Sequence, residues 1–114
     1  MNIIEVREKV HIIERRYFEN DPRRHFAGEI VAVGDNAIRV MGYVWVYDGG
    51  QIKFVKRPEL RERVIVLGER QTINIIPREV IIDDLVYVDD LKHGLIVTDN
   101  KNFTLGINEF GGNR

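Results

Sequence analysis

HFAGEIVAVGDNAIRVMGYVWVYDGG, residues 25–50, is the stretch that decides how this chain folds. Its first nine residues alternate, with Phe26, Gly28, Ile30 and Ala32 on one face and Ala27, Glu29, Val31 and Val33 on the other. This is the two-residue period of a strand. Gly34-Asp35-Asn36 then supplies a turn, and AIRVMGYVWVYD (37–48) runs on as a long second strand. Asp48-Gly49-Gly50 follows, a residue set that readily takes the positive φ angles of a tight hairpin. Gly28 and Gly42 stand inside the two strands. A glycine there weakens a flat sheet and marks a bulge or sharp bend, and two bends in consecutive strands favour a small, closed or nearly closed barrel over a sandwich.

Outward from this stretch the signals remain extended. QIKFV answers VWVY across the glycine turn, Pro58 ends that hairpin, and the charged PELRER connector leads into RVIVLGER (63–70). A second short turn at Gly68-Glu69-Arg70 returns the chain as TINIIP (72–77). IIDDLVYVDD (81–90) reads as a short strand or a covering turn, and GLIVTDNKNFTLGIN (94–108) as a hairpin around Asn100-Lys101-Asn102, before a frayed Gly111–Arg114 end. Towards the start, Val6, Val10, Ile13 and Tyr17 recur at helical spacing, so residues 4–18 compete between an amphipathic helix and a strand from Lys9 to Phe18. The strand is favoured, and Asp21-Pro22 closes either. Composition agrees: 15 Ile and 14 Val stand against 6 Leu and 3 Ala, a balance that suits pleated surfaces. The expected fold is a mainly antiparallel β meander that bends on itself into a strongly curved barrel.

At 114 residues the chain has room for one hydrophobic core, so residues 1–114 are expected to form a single domain, with a barrel core over 1–77 and an extension over 78–114. There is no cysteine and no serine, which removes disulfides, thiolate metal sites and Ser-His-Asp chemistry. The only hydroxyl nucleophiles besides tyrosine are Thr72, Thr98 and Thr104. A cytoplasmic, non-membrane protein is expected, since no run approaches the ~18 apolar residues of a membrane helix. His11, His25 and His93 have no metal-ligand spacing and read as solvated or hydrogen-bonded. Asp83-Asp84 and Asp89-Asp90 lack calcium-loop spacing and read as a solvated acidic edge. No metal or cofactor is expected. Residues 1–78 carry 14 Lys and Arg against 11 Asp and Glu, whereas 79–114 carry 3 against 7. Arg15-Arg16, Arg23-Arg24, Lys53, Lys56-Arg57 and Arg61/Arg63 interleave with aromatics, a mixture that suits single-stranded nucleic acid and equally a half-buried sheet.

His25-Phe26-Ala27-Gly28-Glu29-Ile30, with Gly34-Asp35-Asn36 and Ile38-Arg39-Val40, resembles the first motif of the Sm-like proteins. Val64-Ile65-Val66-Leu67-Gly68-Glu69, with Ile73, resembles the second. The resemblance spans residues 10–77. It implies a five-stranded, highly bent barrel that assembles into a homo-oligomeric ring through edge strands and binds single-stranded RNA at its pore. Carried over, Asp35 and Asn36 match the nucleotide pocket, Gly68 the motif glycine, and Leu67 stands where the family has a base-contacting cation. Arg23 and Arg24 add the phosphate-binding charge. The expected function is therefore a non-enzymatic oligomeric scaffold with weak single-stranded RNA binding, the alternative being a protein-interaction adaptor with no nucleic-acid role.

Overall fold

The computed structural model describes residues 3–16, 18, 23–90 and 94–107. Tyr17, the Asp21-Pro22 turn, His93 and the Gly111–Arg114 end lie outside the described residues. The chain falls into two compact units, Met1–Arg78 and Glu79–Arg114. Both are antiparallel β, and no described helix is long and apolar enough to cross a membrane.

The first unit is a six-stranded sheet of β1 (Lys9–Glu14), β2 (Arg24–Val33), β3 (Ala37–Asp48), β4 (Lys53–Lys56), β5 (Arg61–Val66) and β6 (Gln71–Ile76). Its order is β4-β3-β2-β1-β6, and β5 shares with β4 the other edge of β3. The segment open between helix and strand is thus a strand, shorter than the Lys9–Phe18 expected. Val10, His11 and Ile12 are consecutively buried, so both faces of β1 are covered and neither the helical nor the alternating period describes it. The turn at 68–70 makes no hairpin: β6 pairs with β1 and β5 with β3.

That connectivity dictates curvature. In a flat sheet β5 and β6 would lie four strand spacings apart, about 19 Å. Only Leu67–Arg70 joins them, tightened by the Gln71 N–H donating to Gly68 O. A link of this length with a turn inside it spans roughly 14 Å at most. The sheet must curl. Gly28 and Gly42 permit it, being paired directly across β2 and β3. A Cβ on Gly28 would run into Met41 O, and one on Gly42 into Ala27 O. The irregularity between Ile30 and Ala32 adds a further bend. The curl is not closed by hydrogen bonds, because no ladder joins β5 to β6.

The inner face packs Val10, Ile12, Phe26, Ile30, Ile38, Val40, Val44 and Ile65, with Ile73 and Leu67 against them. The outer face of the β1–β4 region is buried as well, at His11, His25, Ala27 and Trp45. At the β3–β4 tip, Asp48 accepts from the Gly50 and Gln51 N–H groups and from the Gln51 amide. The positive φ of that tip falls on Ile52 (55°) rather than on either glycine.

The second unit is a three-stranded meander of β7 (Val86–Asp90), β8 (Gly94–Thr98) and β9 (Thr104–Gly106). Residues 81–90 prove to be both alternatives in series, a 3₁₀ turn at Ile82–Asp84 and then β7. The hairpin around Asn100-Lys101-Asn102 forms, with Asn100 at φ 60°.

Candidate nucleic-acid interface

The stretches 25–40 and 64–73 meet at their turns. The first turn closes when Gly34 N–H donates to Ala37 O, leaving Asp35 and Asn36 exposed. The second begins where Leu67 N–H donates to Asn36 O at 2.8 Å. It ends where Arg15 N–H donates to Arg70 O and the Arg70 guanidinium returns a bond to Arg15 O. Four residues therefore carry the surface from Asn36 to Arg15. They bound an open depression of about 400 Å³ lined by Val66, Leu67, Gly68, Glu69, Arg70 and Gln71.

Leu67 is half-buried and packs against the core, so its side chain works inward while its backbone fixes the turn. Gly68 is exposed, and a Cβ there would meet only Gln71 Oε1 at ordinary contact distance. Neither space nor backbone angle requires glycine at 68.

Arg23 and Arg24 lie at the opposite end of β2 from Asp35 and do different work from each other. Arg23 sits 5.0 Å over the Tyr47 ring, and its carbonyl accepts from Tyr47 N–H. Arg24 points to the inner face, opposite Glu14 on β1 and Val46 on β3. Arg61 and Arg63 share the inner parity of β5 with Ile65. Arg63 reaches the Phe26 ring, 5.9 Å from its centroid. Burial first, then the Arg61 and Arg24 charges, lower the Arg63 pKa, with Glu14 opposing. Val46 and Val40, the β3 partners of Arg24 and Arg63, are six residues apart. In a flat ladder that is about 20 Å. Arg63 nevertheless reaches the ring of Phe26, the inner-face residue next to Arg24, which is a second mark of the curl. Sequence reasoning grouped these arginines with the aromatics and missed that they face the core side. Alternation in RERVIV puts Arg61, Arg63 and Ile65 on one face, but only the pairing with β3 makes that face the inner one.

The aromatics on β2, β3 and β4 are buried or half-buried, whereas Phe18, outside the strands, is exposed. Trp45 and Phe26 are each 2% exposed and Phe54 is also buried. Lys56 caps Tyr43 at 4.1 Å, and Phe54 stacks on His25. Of the histidines read as solvated or hydrogen-bonded, His11 and His25 are not solvated: both are buried with ring centroids 5.3 Å apart, and desolvation lowers the His11 pKa to about 4. Among the described residues no three His, Asp or Glu side chains gather as a metal site. Asp84 of the acidic pair 83–84 bonds Lys101 at 3.0 Å, and Asp89 is exposed on edge strand β7.

No family model matches the sequence, and neither the curated proteins nor the solved structures returned a match.

Proposed function

We propose that this chain is a non-enzymatic, single-stranded RNA-binding module, an open barrel of the Sm-like kind that assembles with copies of itself. The observation that carries the reading is the bond from Leu67 N–H to Asn36 O, which makes one surface of two stretches thirty residues apart in sequence. That surface offers a carboxylate and an amide for base edges at Asp35 and Asn36, and cations for phosphates at Arg70 and Arg15. Leu67 supplies apolar contact where a cation would both stack and donate, so affinity is weak and leans on phosphate contacts. The test is titration of the full chain with short oligouridylate and oligoadenylate at two salt concentrations. Binding should be salt-sensitive and fall at least fivefold in Asp35→Ala with Asn36→Ala. Unchanged affinity in that double variant would remove the pocket.

Self-assembly is favoured by the unpaired outer edges of β5 and β6, which expose Val64 (61%), Val66 (62%) and Ile75 (52%). Edges of this kind are natural templates for the β5 of one copy to meet the β6 of the next. Sedimentation should show an oligomer that Val64→Lys with Val66→Lys reduces to monomer. An oligomer that binds neither oligonucleotide at low salt would instead be the adaptor.

A further inference from the structure

Strand β5 breaks the usual rule for choosing a register. In Arg61-Glu62-Arg63-Val64-Ile65-Val66 the inner face receives two arginines and one isoleucine, while two valines point out and are more than half exposed. A slip of one residue against β3 would turn Val64 and Val66 inward and release both arginines to solvent, in exchange for expelling Ile65 and bringing in Glu62. The observed register forgoes that burial, and places where local patterning is overridden are where function is to be sought. The cations so placed do not scatter. Arg63 reaches the ring of Phe26, the inner-face neighbour of Arg24 on β2, and Arg61 is the next inner residue of β5, on the side where β1 and β2 pair Glu14 with Arg24. Phe26 flanks Arg63, and Glu59 lies 3.6 Å from Arg61. Among the described residues three guanidiniums face two carboxylates there, which leaves one positive charge in excess on a partly desolvated face.

We infer that Arg24, Arg61 and Arg63 form a binding site for a phosphate group on the inner face of the curled sheet. This deepens the RNA-binding reading and rests on it for the source of the phosphate, a phosphodiester of the bound strand. A guanidinium matches phosphate with two parallel N–H donors, and an ester carrying one negative charge neutralises the excess. Arg63 lies at the ring of Phe26, Arg61 follows it on β5 and Arg24 comes from β2, so two strands supply donors to the same inner face.

The experiment titrates the full-length chain with oligouridylate and, separately, with tripolyphosphate, which has the phosphates and no base. Arg63→Met keeps an unbranched stem over Phe26 and removes the charge; Arg63→Lys keeps the charge. Arg63→Met should weaken both ligands at least tenfold and reduce the slope of log affinity against log salt by about 1. Arg63→Lys should restore that slope. Should Arg63→Met fail to fold, Arg24→Met is read the same way. Tripolyphosphate binding within twofold of the parent in the Met variant overturns the site, as does a parent that binds neither anion. Loss of oligouridylate in Asp35→Ala but not in Arg63→Met leaves the RNA reading standing without this site. Arg63-dependent tripolyphosphate binding with no oligouridylate binding leaves the site standing without the RNA.

Discussion

The two sheets are shaped by opposite means. The first owes its curl to missing side chains, since Gly28 and Gly42 face each other where a Cβ on either would strike the opposite backbone. The second contains no such pair in its described strands and is pinned by polar side chains at one loop. There Asp99 accepts from the Lys101 and Phe103 N–H groups, and Thr98 Oγ1 donates to Phe103 O while accepting from Asn100 N–H. The first device acts across strands and sets the global bend. The second is local, and its loss should stay local.

The sharpest way to break the contrast is Gly42→Val. The strand backbones cannot part without uncurling the sheet, so destabilisation of about 4 kcal/mol or more is expected, measured by urea unfolding. Acid comes next. His11 has a folded-state pKa of about 4 against 6.5 for an exposed histidine, so the unfolded chain binds the extra proton between these values. Stability is therefore full above about pH 6.5, falls as pH drops towards 4, and loses about 3 kcal/mol in all from this group. His11→Gln should lack that slope, and an identical acid limb in the variant would assign the loss elsewhere. Asp99→Ala should speed amide exchange at least roughly tenfold over residues 94–106 while leaving 24–48 unchanged, as loss of the two backbone-to-carboxylate bonds implies. Equal acceleration in both sheets would erase the distinction. The smallest effect is a gain: Ile52→Gly relieves a branched residue at φ 55° and should raise stability by about 0.5–1 kcal/mol in the same urea assay.

Local chemistry was readable before any coordinates. Residues 37–48, read as one long strand between two turns, are the bounds of β3, and glycine inside the strands points to the bends at Gly28 and Gly42. What lay beyond reach was pairing at a distance. Nothing in TINIIP says that it joins β1 instead of its neighbour β5, and nothing at Asn36 says that its carbonyl receives Leu67. The candidate site was half visible for the same reason. Asp35, Asn36 and Gly68 could be nominated from turn composition, but the inward parity of Arg61 and Arg63 depends on which register β5 takes against β3, and the hydrophobic pattern of RERVIV argues for the other one. Arg23 and Arg24, adjacent in sequence, were grouped as one patch and serve different faces.

The Leu67–Arg70 link also governs the order in which the first sheet can assemble. The β2–β3 ladder closes over the three residues Gly34–Asn36, whereas the β1–β6 ladder must bring Lys9 to Ile76 and Glu14 to Gln71, nearly the whole unit. Loop closure of that length costs roughly 2–3 kcal/mol more than the short turn. Once β5 has docked on β3, however, the four-residue link holds β6 close to the edge of β1, and the remaining search is short. The link thus converts the most distant pairing in the unit into a late and inexpensive step, so refolding should be limited by the β2–β3–β5 assembly that precedes it.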